Sequence, residues 1–234
     1  MSSLRKLAVA ILASSSLVYS QPTSIAEARA QLTVRVYNVD RAPEAILLRA
    51  QRSVDRTFKC AGIDLQWVNC TFAGASCLAC TSSPSIKVTI LPKSRVREPG
   101  LSYAALGVTL PTGVLVFSDK IRNLAELYRL SESQILGMVL AHELGHAFLG
   151  PGHASSGLMV ANLQSHDMHS FASGQLRFGT KQAEIMQAHL RSCHRGITEF
   201  DGSRVLHPAC PTAVTLPQSR IFVPYQLSRN VNCN

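Results

Sequence analysis

The chain of 234 residues has few charged side chains, 16% of the total, and few aromatic ones, 6%, with a single tryptophan. Hydrophobic residues make up 46% of it, which excludes a disordered, highly charged chain and is typical of a globular protein. The sequence contains no internal repeat, and its length suits one substantial domain better than two. We therefore expect a single globular domain.

The sequence also lacks an apolar run of the length that a membrane span needs. The charge-free stretch Leu7–Val18 is too short to span, and it follows two basic residues and precedes polar ones. This order is typical of a secretory signal peptide, so we expect residues 1–30 to contain one, with cleavage after Ser20 or after Ala30. A short buried helix or an uncleaved anchor is the alternative. The mature protein is then secreted or periplasmic and has no membrane span.

Cysteine is absent before Cys60, and the seven cysteines of the chain fall into two groups. The first group is Cys60, Cys70, Cys77 and Cys80, and the second is Cys193, Cys210 and Cys233. Cysteines of an exported protein usually pair, so we expect disulfides. The CxxC of Cys77 and Cys80 could be half of a zinc site, but no second CxxC completes it. Because seven is odd, one thiol is expected to be free, paired between chains or removed with a trimmed tail.

Acidic residues are scarce, since 14 stand against 23 lysines and arginines, for a net charge of +9. Removing residues 1–30 takes away three basic residues and one acidic residue and leaves +7. Such a balance favours anionic surfaces or acidic substrates. The basic residues are scattered, however, and no basic stripe alternates with aromatic residues. We therefore expect a solvated basic surface and no nucleic-acid partner.

Apolar periodicity predicts five strands and four helices. The predicted strands are Leu32–Tyr37, Ile63–Val68, Ile86–Leu91, Gly107–Leu110 and Val114–Phe117, and the predicted helices are Pro43–Cys60, Ile121–Leu130, Glu132–Leu149 and Thr180–Ser192. This order indicates an α+β domain over residues 31–194, a twisted mixed sheet with a central helix and a C-terminal helix. Residues 195–234 contain prolines and cysteines without periodicity, and we expect them to form an irregular tail.

The limits of the predicted central helix are marked by local signals. Ser131, with Gln134 three residues on, predicts a capping box at its start. Gly150 and Gly152, on either side of a proline, predict the turn that ends it.

The central helix carries the pattern HExxH as His142-Glu143-Leu144-Gly145-His146. Histidines four residues apart lie on one face of a helix, one turn apart, where both imidazoles reach one metal ion. Zinc accepts such nitrogen ligands and keeps a position for water in catalytic sites. Glu143 is then placed as the general base that takes a proton from that water. The alternative is an ordinary buried helix with two hydrogen-bonded histidines.

A third histidine, His153, follows His146 by seven residues, after the Gly-Pro-Gly turn at 150–152. Reversal of the chain at this turn brings His153 within reach of the same ion. Six residues after His153 stands Met159. The pattern predicts one zinc ion, Zn²⁺, held by His142, His146 and His153.

This arrangement resembles the metzincins, zinc peptidases with a long HExxH motif, a glycine turn, a third histidine and a methionine-containing turn beneath the metal. The resemblance implies a zincin fold, a peptide or protein substrate, and Met159 in the methionine turn. In the family the glycine and the third ligand lie three and six residues after the second histidine, whereas Gly150 and His153 lie four and seven after His146. The segment HELGHAFLGPGHASSGLM is most similar to poorly characterised secreted bacterial metzincin-like proteins, over roughly residues 32–192.

Other residues compete for the metal. His166, Asp167 and His169 are expected in an exposed polar loop after the methionine turn. Glu184 has the character of the distant glutamate ligand found in gluzincin-type zinc sites, but it lies 38 residues after His146 without a flanking motif. We expect none of them to bind the metal, because His153 completes the ligand set.

We therefore predict a secreted zinc endopeptidase, with a monomer favoured. The predicted strand Val114–Phe117 is the candidate sheet edge that pairs with an extended peptide. The alternatives are a zinc hydrolase that cleaves a non-peptide amide and a non-catalytic zinc-binding recognition module, and Glu143 argues against the module. We also expect no folded inhibitory segment ahead of the domain, because the first strand begins near Leu32, and an uninvolved tail at 195–234.

Overall fold

The computed structural model describes residues 29–70, 77, 84–96 and 105–198, with the side chains of residues up to 193. The strands of these ranges are β1 (Ala30–Asn38), β2 (Ile63–Asn69), β3 (Ser85–Leu91), β4 (Gly107–Leu110) and β5 (Gly113–Phe117). The helices are α1 (Glu44–Cys60), α2 (Ser118–Tyr128), α3 (Glu132–Leu149), α4 (Ser165–Ala172) and α5 (Thr180–Thr198), with a short 3₁₀ turn at Lys93–Arg95. The predicted α+β class is confirmed, and the HExxH residues lie on α3.

One mixed sheet contains the five strands, in the order β2-β1-β3-β5-β4. The first four run parallel, and β4 pairs antiparallel with β5, with Val108 opposite Leu115. Among the described strands, β4 is therefore at the edge of the sheet, and β5 lies between β3 and β4. The prediction that Val114–Phe117 forms the free edge is wrong, because hydrophobic alternation identifies a strand without giving its place in the sheet.

The core lies between the sheet and the helices that pack on it. α1 contributes an apolar stripe at helical spacing whose members are at most 5% exposed: Leu47, Ala50, Val54 and Phe58. α3 packs next to α1 and is buried without interruption from Ile135 to His146. The two helices approach closely at Gly137, where a Cβ atom would lie 3.1 Å from the carbonyl oxygen of Ala50. α3 is thus a central helix with little contact with solvent.

The ends of α3 follow the predicted signals. The Gln134 N–H donates to Ser131 Oγ at 3.3 Å, and the Ser131 N–H donates to Gln134 Oε1 at 2.9 Å, which together form the capping box. The helix ends at Gly150, where φ is +81°. Both ends of the helix are therefore set by local interactions, and these fix where the HExxH residues stand.

Besides boundary shifts of one or two residues, the structure differs from the predictions in the start of α2, the end of α5 and the presence of one further helix. α2 begins at Ser118, before the predicted start at Ile121. α5 continues to Thr198, four residues into the segment expected to be irregular. The residues around His166, which were expected in a loop, form α4. This helix has eight residues and buries only two of them, so its periodicity is too short to stand out in the sequence.

The expectation that the cysteines form disulfides is confirmed in part. Cys70 and Cys77 form one disulfide, and Cys193 is also disulfide-bonded. Cys60 is an exposed free thiol. The other three cysteines lie outside the described residues, as do most of the predicted signal segment, through residue 28, and the tail beyond residue 198. No described helix has the length and apolarity that crossing a membrane requires.

Candidate metal centre

Three histidines from α3 and the turn after it converge. One possible ligand atom from each of His142, His146 and His153 lies within 4.8 Å of the others. His142 and His146 are buried and His153 is half-buried. The rings of His142 and His153 stack with 5.5 Å between their centroids, and His146 meets His153 edge-on at 4.8 Å. The three predicted histidines therefore form one group that could hold a metal ion.

Backbone carbonyls orient the two buried rings. Nδ1 of His142 donates to the Leu158 carbonyl oxygen at 2.8 Å, and Nδ1 of His146 donates to that of Gly150 at 2.8 Å. Because a carbonyl only accepts, Nδ1 carries the proton and Nε2 of each neutral ring carries a lone pair. The two Nε2 atoms face each other at 3.0 Å. Two facing lone pairs repel unless they share a cation, so the two rings are oriented as they would be around a shared cation.

Burial keeps both rings neutral at physiological pH. Desolvation, together with the neighbouring His146, lowers the pKa of His142 to about 3. Desolvation also lowers the pKa of His146 to about 4, although its hydrogen bond with the Gly150 carbonyl opposes this. Neutral imidazole is the form that binds a metal ion, so these rings need no deprotonation before they bind one.

Glu143 is buried against the edge strand β4. Thr109 Oγ1 lies 2.8 Å from Glu143 Oε2 and 2.7 Å from the Glu143 carbonyl oxygen. The backbone of Gly107 is so near that a Cβ atom there would lie 2.9 Å from Glu143 Cγ. Glu143 Oε1, in contrast, has no hydrogen-bond partner among the described residues. A buried carboxylate oxygen without a partner is suited to bind a water or a ligand group.

The same burial changes the acidity of this carboxyl. Desolvation raises the pKa of Glu143 to about 8, although the hydrogen bond with Thr109 lowers it. A bound cation nearby favours the charged form of a carboxyl and lowers its pKa. A group whose pKa lies near neutrality takes up and returns protons readily at physiological pH. Glu143 therefore has the environment of an acid–base group.

Glycines shape the turn that brings His153 back towards α3. Gly150 and Gly157 have φ angles of +81° and +80°, in the left-handed region that favours glycine. Gly152 does not have a φ angle in this region, and a Cβ atom on it would meet open space. Of the two predicted turn glycines, only Gly150 is therefore required by its backbone conformation. The turn is one residue longer than in the metzincin pattern and still joins His153 to the other histidines.

Met159 packs against the helix that carries the motif. Its side chain is buried, and a Cβ atom on Gly145 would lie 2.5 Å from Met159 Sδ. Since such a distance is too short for two heavy atoms, the absence of a side chain at Gly145 lets the methionine pack there. The Ala154 N–H donates to the Met159 carbonyl oxygen at 2.7 Å. Met159 is thereby tied to the segment that carries His153.

The competing ligands lie elsewhere. His166 and His169 are exposed on α4, where His166 Nε2 lies 3.2 Å from Asp167 Oδ1. Glu184 is exposed on α5. None of these residues belongs to a group of three possible metal ligands within the part of the chain that the structure describes.

Thr109 and Gly107 are the site residues that the sequence analysis missed. Both lie on β4 and contact Glu143 across a separation of more than 30 residues. No motif marks either residue, because their role depends on the position of β4 beside α3. Only the placement of β4 at the sheet edge, next to the helix, would have identified them.

No protein family matches this chain, and no curated protein matches it either. The motif and the geometry of the site are therefore the features that indicate the function.

Proposed function

We propose that the protein is an exported zinc-dependent endopeptidase of the metzincin type, with His142, His146 and His153 as zinc ligands and Glu143 as general base. The observation that carries this proposal is the convergence of three imidazole ligand atoms within 4.8 Å, with a buried carboxylate next in sequence to one of them. Three histidines and an open position form the ligand set of catalytic zinc sites. The facing Nε2 atoms support a cation between them.

The residues divide the chemistry of hydrolysis among them. Zinc in this position would supply a Lewis acid that makes water more acidic and polarises a carbonyl group. Glu143 Oε1, which has no partner among the described residues, accepts the proton of the attacking water and returns it to the leaving amine. Thr109 holds the other carboxylate oxygen and so fixes the direction of Oε1. The carbonyls of Leu158 and Gly150 keep the histidine rings in place.

The edge strand β4 is our candidate for the surface that binds an extended peptide. It pairs with β5 on one side, and its other side has no partner strand among the described residues. Extended peptides bind to such edges through backbone hydrogen bonds. Gly107 and Thr109 of β4 contact Glu143, so a peptide paired with this strand would lie beside the base. This arrangement favours a peptide bond as the group that is cleaved.

The pairing of cysteines supports the proposal that the protein is exported. The disulfide between Cys70 and Cys77 is typical of proteins that fold in an oxidising compartment. Of the two predicted cleavage positions, the one after Ser20 leaves β1 whole, because Ala30 is buried and pairs with Ile63. We propose that the mature chain begins after Ser20.

The alternatives differ in what they require of Glu143. A recognition module would bind zinc with its histidines and would have no use for a fully buried carboxylate, whose burial costs free energy. This disfavours the module. A zinc hydrolase that acts on a non-peptide amide would use the same residues, and the open side of β4 is the feature that favours a peptide.

The test measures zinc content and peptide cleavage on the same preparation. We expect about one zinc per chain by elemental analysis and cleavage of a mixed library of unstructured peptides, lost with a chelator and restored by zinc. Cleavage sites inside the peptides would identify an endopeptidase. Zinc at one per chain with no cleavage of the library would favour the other zinc hydrolase, and no zinc would overturn the proposal.

A further inference from the structure

A cleft lies at the far end of α3 from the HExxH residues. It has a volume of about 590 Å³ and lies between α1 and the first turn of α3. Ser131 lines the cleft. At the α-helical rise of 1.5 Å per residue, it lies roughly 16 Å from His142 along the helix axis. The cleft is therefore distinct from the metal centre.

Three arginines of α1 line this cleft, namely Arg49, Arg52 and Arg56. Their spacing of three and four residues places them on one face of the helix, over roughly 10 Å. All three are exposed, and none of them takes part in a salt bridge with a described residue. Arg56 Nη2 donates a hydrogen bond to Ser53 Oγ at 3.3 Å, and this hydroxyl carries no charge. The lining therefore has three positive charges and one negative charge, that of Asp55, for a net charge of +2.

The start of α3 also lines the cleft, through Ser131 and Ser133. The first turn of this helix carries the acidic Glu132, and the N–H of Gln134 already donates to Ser131 Oγ, so the arginines of α1 supply the positive charge of the cleft. The acidic residue of the lining is Asp55, whose Oδ1 accepts a hydrogen bond from Trp67 Nε1 at 2.7 Å. Its carboxylate is thus already engaged by a side chain of β2.

We propose that this cleft binds a compact oligoanion that carries at least two sulfate or phosphate groups. Guanidinium groups bind such groups through paired hydrogen bonds, and three arginines over roughly 10 Å can bind more than one group at once. The lining contains no aromatic side chain on which bases could stack, which disfavours single-stranded nucleic acid. It contains no large apolar side chain that would enter a lipid surface, which disfavours a membrane.

The test is isothermal titration of the full-length, zinc-loaded protein with sucrose octasulfate at low ionic strength. We expect saturable binding that weakens as sodium chloride is added, because salt screens exposed charges. Sodium sulfate at the same total sulfate concentration should bind much more weakly, since it offers one group at a time. The combined variant with Arg49→Gln, Arg52→Gln and Arg56→Gln should bind at least about tenfold more weakly.

Two further variants separate the cleft from general charge. Lys181→Gln removes an exposed charge on α5, outside the cleft, and should leave the affinity unchanged. Asp55→Asn keeps an acceptor for Trp67 and should increase the affinity, because it removes the negative charge of the lining. Thermal unfolding of each variant verifies that the fold is intact.

Three results would overturn the proposal. The first is equal affinity of the triple arginine variant and the wild type, and the second is an equal loss in Lys181→Gln, which would indicate attraction by net charge alone. The third is binding to vesicles that contain phosphatidylglycerol without any binding of sucrose octasulfate. That result would assign the arginine face to a lipid surface instead.

Discussion

Helices α1 and α3 pack against each other, yet they bury their residues in different ways. α1 buries one apolar stripe and leaves its arginine face exposed, whereas α3 is buried from Ile135 to His146. A polar group on the outer face of α1 keeps its water, but a polar group in the buried part of α3 needs a protein partner or a ligand. Substitutions should therefore have large effects on every face of α3, while on α1 their effects should depend on the face.

The largest effect is expected for His146→Ala on α3. It removes one of three proposed ligands, so we expect most of the zinc and all measurable peptide cleavage to be lost. The control is His189→Ala on α5, a half-buried histidine outside the group, which should keep about one zinc per chain. Elemental analysis of both variants decides the point, and full zinc retention in His146→Ala would place the metal elsewhere.

The second largest effect is expected for Glu143→Ala. The variant should keep its zinc, because Glu143 is not a proposed ligand, and should lose at least ~100-fold in kcat/KM, the usual scale for a positioned acid–base group. Glu184→Ala, which removes an exposed glutamate of α5, is the matched control and should be unaffected. Turnover near the wild-type rate in Glu143→Ala would remove this residue from the mechanism.

The third prediction concerns the stability of the metal-free protein against pH. Burial raises the pKa of Glu143 to about 8 from an ordinary 4.5, so between these values the folded state holds a proton that the unfolded state has lost. Stability contributed by Glu143 therefore falls as pH rises towards 8. The pKa values of His142 and His146 are lowered from 6.5 to about 3 and about 4, so their contribution is lost as pH falls below 6.5.

The two opposing contributions place the maximum stability of the metal-free protein near pH 6.5. Between pH 6.5 and 8 the free energy of unfolding should fall by about 2 kcal/mol, the value of 1.5 pKa units for one group. Urea unfolding of chelator-treated protein at pH 5, 6.5 and 8 measures this dependence. Glu143→Gln should remove the decline above pH 6.5, and an unchanged decline in that variant would show that other groups cause it.

A smaller effect is expected at Thr109, which acts on Glu143 from β4. Thr109→Val keeps the shape of the side chain and removes the hydroxyl, so we expect kcat to fall by roughly tenfold with zinc retained. Thr109→Ser restores the hydroxyl and should recover most of the rate. If the Thr109→Val and Thr109→Ser variants lowered kcat equally, the effect would come from packing and not from the hydrogen bond to Glu143.

The contrast between the two helices also explains what could be predicted from sequence. His142 and His146 lie within one helix, and the residues of the capping box at the start of α3 lie within one turn. Both features could therefore be predicted from a short stretch of sequence. The turn to His153 is likewise local, and the structure confirms that this histidine joins the group. The amphipathic pattern of α1 predicted its extent for the same reason.

Features that depend on distant parts of the chain could not be read in this way. The contact of Thr109 with Glu143 requires β4 to lie at the sheet edge beside α3, and no local pattern gives that order. The prediction that Val114–Phe117 forms the edge of the sheet was wrong for the same reason. The short helix around His166 was missed because its two buried residues offer too little periodicity.

The smallest effect is expected on the exposed side of α1, where Leu48 is 46% exposed and its neighbour Leu47 is 5% exposed. Leu47→Ala should lower the free energy of unfolding by about 2–5 kcal/mol, because it opens a cavity in the core. Leu48→Ala should change it by no more than about 0.5 kcal/mol, since that side chain stays largely in water and alanine favours the helix.

The matched pair on α3 is Ile135 and Leu136, neighbours on different faces that are 1% and 3% exposed. Each of them changed to alanine should cost about 2–5 kcal/mol, because both faces of α3 lie in the core. Urea unfolding of the four variants measures the difference directly. A nearly neutral Leu136→Ala would mean that α3, like α1, has a face in solvent, and the burial that keeps Glu143 and the histidines out of water would then have to be reconsidered.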